Sequence, residues 1–86
     1  MDEFVVYILF SPSTGKTYTG MTSDLITRFH FHNQKSTKGF TKKFRPWIVV
    51  HVEFFQVKKE ALNREQELKT GKGRDWIKNF ILPSYL

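Results

Sequence analysis

Residues Phe4 to Phe10 read Phe-Val-Val-Tyr-Ile-Leu-Phe, seven apolar or aromatic residues with no polar alternate. A half-solvated strand alternates, so an unbroken β-branched and aromatic run reads as a strand buried on both faces. Both faces then need cover from the rest of an 86-residue chain, which is long enough for one small domain, 1–86, and no more. The same run is far too short to span a membrane, which takes about 20 apolar residues. Ser11-Pro-Ser-Thr-Gly15 follows as a dense turn signal, and Lys16 to Thr22 can return as a second strand. A hairpin with a four-residue loop over 11–14 pairs Phe10 with Gly15 and Leu9 with Lys16. It sets Tyr7 opposite Tyr18, with both phenols on one face.

Beyond the hairpin, Thr22 or Ser23 can cap a helix with Asp24 in its first turn. Leu25, Ile26, Phe29 and His32 recur at helical spacing, giving a helix from Asp24 to about Asn33. A basic segment leads to Pro46, and Trp47 to Phe55 is β-branched and aromatic, the third strand. Lys58 to Thr70 is rich in helix formers, Gly71 and Gly73 stop it, and Asp75 can cap a short last helix carrying Trp76, Ile77, Phe80 and Ile81. The expected class is α+β, a small three-stranded, mainly antiparallel sheet flanked by helices in the order β-β-α-β-α-α.

Hydrophobic residues make up 40% of the chain and aromatics 16%, which excludes disordered and low-complexity classes. There is no cysteine, so a disulfide framework, a thiolate nucleophile and cysteine-based zinc sites are excluded, and a cytoplasmic protein is expected. The opening Met-Asp-Glu is acidic rather than basic, so no signal peptide is expected there. Fourteen Lys and Arg against eight Asp and Glu give a net charge of +6. The excess lies after residue 34. Lys35, Lys38, Lys42, Lys43 and Arg45 form a stretch with no acid, interleaved with Phe40, Phe44 and Trp47. Such a stretch suits a polyanion, and its aromatics serve either base stacking or the core.

Several residues break the amphipathic pattern. Glu65 falls four residues after Ala61 and three before Leu68, on the stripe that should face the core. A carboxylate there needs a partner or a cation, so an ion pair at the edge of the stripe and a metal-ligand role are both open. Arg28 lies three after Leu25, with His32 one turn further on the same face, where arginine can hold a phosphate and histidine relay a proton. The alternative is a snorkelling arginine beside a partly buried histidine. A phenol titrates near 10, so Tyr7 or Tyr18 as a general base needs help from a cation or a histidine. His30 and His51 have no ligand spacing and are expected to be structural. Gly15-Lys16-Thr17 resembles the end of a phosphate-binding loop, but Phe10 stands where that motif needs glycine.

Together these residues resemble the GIY-YIG nuclease superfamily, in particular its short stand-alone members and the nuclease domain of the bacterial excision-repair incision subunit. Val5-Val-Tyr7 is similar to the first half of the signature and Tyr18-Thr-Gly20 to the second. Leu25-Ile-Thr-Arg28 with His32-Asn33 resembles the arginine helix. Thr41 and Arg45-Pro46-Trp47 resemble the lead into the third strand, and Glu60-Ala-Leu-Asn-Arg-Glu65 the metal-binding helix. The departures are VVY and YTG in place of GIY and YIG.

The resemblance implies a phosphodiester hydrolase using one divalent cation, magnesium or manganese. Glu65 would hold the metal, Arg28 neutralise the scissile phosphate, Tyr7 activate water, Tyr18 position water or phosphate, and His32 assist the tyrosine. Asn79 lies in the region of a late asparagine that shapes the site in some members. The expected function is a metal-dependent DNA endonuclease acting on structured, branched or damaged DNA, with RNA left open and a homodimer or protein partner as a source of specificity. The alternative is a non-catalytic nucleic-acid-binding module that keeps the fold. A protein-interaction domain would leave the charge distribution unexplained.

Overall fold

The computed structural model describes residues 3–30, 32–33 and 44–86. Phe40, Thr41, Lys35, Lys38, Lys42 and Lys43 lie outside the described residues. Strands β1 (Phe4–Phe10), β2 (Thr17–Thr22) and β3 (Ile48–Phe55) form an antiparallel sheet in the order β2-β1-β3. The apolar run is therefore the central strand, and Val5 to Phe10 are all buried.

The two faces of β1 anchor two cores. Val6, Ile8 and Phe10 pack with Ala61, Leu68, Ile77 and Leu82, which belong to the C-terminal helical layer. Val5, Tyr7 and Leu9 pack with Trp47, with Tyr18, Leu25, Phe29 and Phe44 against them. Trp47 and Phe44 are thus core anchors. The layers are the order expected, α+β with β-β-α-β-α-α.

The hairpin register differs from expectation. Leu9 pairs with Tyr18 and Tyr7 with Gly20, and the Ser11 N–H donates to Lys16 O at 2.8 Å. The loop therefore comprises residues 12–15 instead of 11–14, which moves the pairing by two. Because side chains alternate with period two, a two-residue slip keeps both tyrosines on one face. Gly15 sits in the left-handed region at φ 77°, the conformation that glycine adopts without a Cβ penalty.

Helix α1 spans Leu25–His30. Its cap is Asp24 itself, not Thr22 or Ser23: the carboxylate accepts from Thr27 N–H at 3.1 Å and from Thr27 Oγ1 at 2.8 Å. Those bonds, the backbone one foremost, hold the Asp24 carboxyl below its ordinary pKa. The chain leaves α1 through a wide turn that includes His32 and Asn33.

Helix α2 spans Lys58–Leu68, and α3 spans Gly71–Trp76, continuing as a π turn (Ile77–Ile81) and a 3-10 turn (Leu82–Tyr85). Gly71 and Gly73 open the last helix instead of ending its predecessor, and Thr70 replaces Asp75 as its cap, accepting from Gly73 N–H at 3.1 Å. Gly73 is buried, and a Cβ there would stand 2.5 Å from Leu68 Cα. Only the smallest residue lets α3 turn this tightly onto α2.

A compact charged cluster ties β3 to this layer. Arg64 Nε and Nη2 donate to the two oxygens of Glu53 at 2.8 and 3.0 Å, and Arg64 Nη1 pairs with Glu67. His51 Nε2 lies 2.9 Å from Glu53 Oε2. The guanidinium stacks 5.2 Å from the centre of the Trp76 ring. His51 is structural, as expected.

Candidate active site

On the face opposite α2, β1 and β2 deliver Tyr7 and Tyr18 side by side, with ring centroids 6.3 Å apart. Tyr7 is buried. Its cross-strand partner is Gly20, and a Cβ on that residue would fall on the Tyr7 phenol, 2.6 Å from Cζ. The glycine two residues after Tyr18 thus vacates the space in which the Tyr7 phenol lies.

His32 closes the pair from the exit of α1. Its Nε2 is 3.0 Å from Tyr7 Oη in a buried hydrogen bond, and its ring centroid is 4.7 Å from that of Tyr18. The histidine is fixed through its backbone and its neighbour. Arg45 Nε donates to His32 O at 2.8 Å. Asn33 Nδ2 donates to Trp47 O at 3.0 Å, and Trp47 N–H donates to Asn33 Oδ1 at 2.7 Å. Asn33 therefore serves both backbone groups of the residue that enters β3.

The electrostatics of the pair follow from burial. Loss of solvent raises the Tyr7 pKa well above the ordinary phenol value. Tyr18 and Glu65 push it further up and Arg28 pulls it down. Burial, then the Arg28 charge, lowers the His32 pKa below 6.5, so the imidazole is neutral at physiological pH. A neutral ring has one nitrogen able to accept a proton.

Arg28 lies exposed on α1. Its side chain makes no hydrogen bond or ion pair among the described residues, yet its charge acts on both Tyr7 and His32. Glu65 does sit on the buried stripe between Ala61 and Leu68. Its side chain is only 14% exposed and meets Lys69 Nζ at 3.1 Å. Leu62, next to Ala61 in α2, is 38% exposed and lies off that stripe. Because α2 packs on the Val6, Ile8 and Phe10 side, Glu65 acts on the Tyr7 phenol through its charge from the other layer of the sheet.

The structure thus brings Tyr7, Tyr18 and His32 into direct contact, with Arg28 and Glu65 within electrostatic reach. Arg45 is drawn to His32 as a brace, and Asn79 lies exposed in the π turn. The bracing roles of Arg45 and Asn33 are long-range, and no sequence spacing marks them.

Two adjacent tyrosines beside a histidine, with an arginine and a glutamate acting on them through their charge, make up the candidate site of this β-β-α-β-α-α domain. The chain matches the GIY-YIG catalytic domain over residues 3–79 and belongs to that family. It is 41% identical over 70 residues to a UPF0213 protein of Staphylococcus aureus strain Mu3, a match covering 81% of this chain and 84% of that one. UPF0213 protein SA0446 of strain N315 matches equally. The solution NMR structure of UPF0213 protein BH0048 from Bacillus halodurans superimposes with a TM-score of 0.53 at 30% identity, covering 87% of this chain and 81% of that one. Membership supports a nuclease-type function and implies nucleic-acid binding. Among the described residues no helix is long and apolar enough to cross a membrane.

Proposed function

We infer that this domain is a divalent-metal-dependent endonuclease that hydrolyses phosphodiester bonds in DNA, with structured, branched or damaged DNA as the preferred class. The observation that carries the reading is the buried Tyr7–His32 hydrogen bond, 3.0 Å long, set where Arg28 and Glu65 both act on the phenol. A structural tyrosine has no need of that company.

The residues fit a hard divalent cation. Among the described residues no group of three His, Cys, Asp or Glu could form a closed cage, and Glu65 is a single, largely shielded carboxylate. Magnesium and manganese suit such a donor, because they bind through one or two carboxylates, with substrate phosphate and water completing the shell. A bound cation supplies charge neutralisation at the phosphate and the leaving oxygen. Glu65 would hold it.

The protein's own groups do the rest. Arg28, exposed and uncommitted, neutralises the scissile phosphate. Tyr7 is too weak an acid to stand as a phenolate near neutral pH, so it acts by relay. Tyr7 Oη takes a proton from the attacking water as its own proton passes to His32 Nε2. The water oxygen bonds to phosphorus, the bond to the leaving oxygen breaks, and solvent protonates that oxygen. Tyr18, its ring tilted against that of His32, orients the water or the phosphate.

The test is incubation with nicked, branched and single-stranded DNA, with magnesium or manganese, for wild type, Glu65→Gln and Tyr7→Phe. The proposal expects metal-dependent cleavage by wild type alone. Cleavage that survives both substitutions overturns the site. Salt-sensitive binding with no cleavage favours the non-catalytic binding module.

A further inference from the structure

Outside the tyrosine cluster, the outer edge of β2 and the corner between α2 and α3 enclose an open recess of about 480 Å³. Gly15, Lys16, Thr17, Tyr18 and Thr19 form one wall, and Leu68, Lys69, Arg74 and Ile77 the other. No acidic side chain lines it, and three cations do. Arg74 is exposed and makes no side-chain ion pair among the described residues. Lys16 is exposed and rests 5.9 Å from the centre of the Phe44 ring. Lys69 pairs with Glu65, so one residue links this wall to the carboxylate of the candidate site. Tyr18 does the same from β2, since it lines the recess and its ring lies against His32.

We propose that this recess is a backbone-phosphate track for a single polynucleotide strand, with Lys16 and Arg74 contacting phosphates that flank the bond presented to Tyr7 and Arg28. The flanking position of these contacts rests on the nuclease reading, whereas strand binding rests on the recess alone. Exposed cations on both walls, Thr17 and Thr19 in the lining, and the absence of acid from it are the chemistry a phosphodiester chain needs. A recess of about 480 Å³ cannot enclose a duplex, so the occupant is one strand. Its position also accounts for Lys16, which a nucleotide-binding loop could not.

The experiment measures binding of a single-stranded DNA 12-mer across a salt series, without metal, for the full chain. Lys16→Gln/Arg74→Gln removes two charges from the recess. Lys58→Gln/Lys59→Gln removes the same two charges from the exposed far end of α2. The track predicts about tenfold weaker binding for the first pair. It also predicts a log–log salt slope shallower by about 1.4, at roughly 0.7 per lost phosphate contact on a single strand. The second pair should change affinity about twofold or less, because distant charges are screened. Equal losses in both pairs, or an unchanged slope in the first, overturn the track. Failure of the nuclease reading looks different: the recess pair still loses affinity while wild type cuts nothing. Wild type that cuts, with the recess pair binding normally, refutes the track alone.

Discussion

Two charged clusters flank the same sheet, built from similar residues and finished differently. The cluster of His51, Glu53, Arg64 and Glu67 is closed. Its arginine forks onto one carboxylate, reaches a second and lies on Trp76. Mutual satisfaction raises the Arg64 pKa, with the Glu53 hydrogen bond first. It lowers that of Glu53, with the Arg64 hydrogen bond first. The cluster of Tyr7, Tyr18, Arg28, His32 and Glu65 is open. Its arginine has no partner among the described residues, its glutamate holds only a lysine, and its phenol and imidazole are pushed toward their neutral forms. A closed network spends its charge on geometry, whereas an open one keeps charge for a ligand. The stabilising cluster and the chemical one should therefore separate under mutation.

The largest separation is expected at Glu65. Glu65→Gln should lower metal-dependent cleavage by about 10²–10³-fold, the scale of a lost electrostatic stabiliser, with little change in melting temperature. Gly20→Ala should next disturb both properties. Its methyl overlaps the Tyr7 phenol, so a stability loss of about 1–3 kcal/mol is expected in denaturant titration, with cleavage falling as the phenol moves. Glu53→Gln should do the reverse of Glu65→Gln. It loses about 1–2 kcal/mol of stability from a pair that is 23–26% exposed, with cleavage per folded molecule unaltered.

The smallest effect is the separation on the pH axis. His32 has a lowered folded pKa, so Nε2 stays able to accept a proton down through pH 6.5. Cleavage should fall as pH drops through that lowered pKa, while this residue's stability contribution is full above 6.5 and is lost as pH falls from there through the lowered value. His32→Gln should remove this acid limb from the rate profile. Glu53, also lowered from 4.5, contributes stability that is full above 4.5 and lost as pH falls through its depressed value. The closed cluster thus fails at more acid pH than the open one, which denaturation curves at stepped pH will show.

Much of this was legible in the residues. The Phe4–Phe10 run has no polar alternate, and it is the central strand. Glu65 broke its stripe and does lie on it. The hairpin register was not legible, because Ser11-Pro-Ser-Thr-Gly15 accommodates its loop at either of two positions and both keep the tyrosines on one face. Gly71 and Gly73 misled for a physical reason. Glycine is the usual helix stop, but here its missing Cβ serves a close approach of α3 to Leu68. The braces at Arg45 and Asn33 depend on contacts 13 and 14 residues away, which periodicity does not encode. The two layers from which Arg28 and Glu65 approach followed only from which face of β1 each helix covers.

The most direct test compares the two clusters in one assay. Single-turnover cleavage of a nicked duplex is measured for Tyr7→Phe and Glu53→Gln at equal folded concentration. Tyr7→Phe should lose about 10²–10⁴-fold, the span of a positioned proton-transfer group, while Glu53→Gln cuts at the wild-type rate. Equal rates for Tyr7→Phe and wild type, or a loss confined to Glu53→Gln, would contradict the assignment of chemistry to the open cluster.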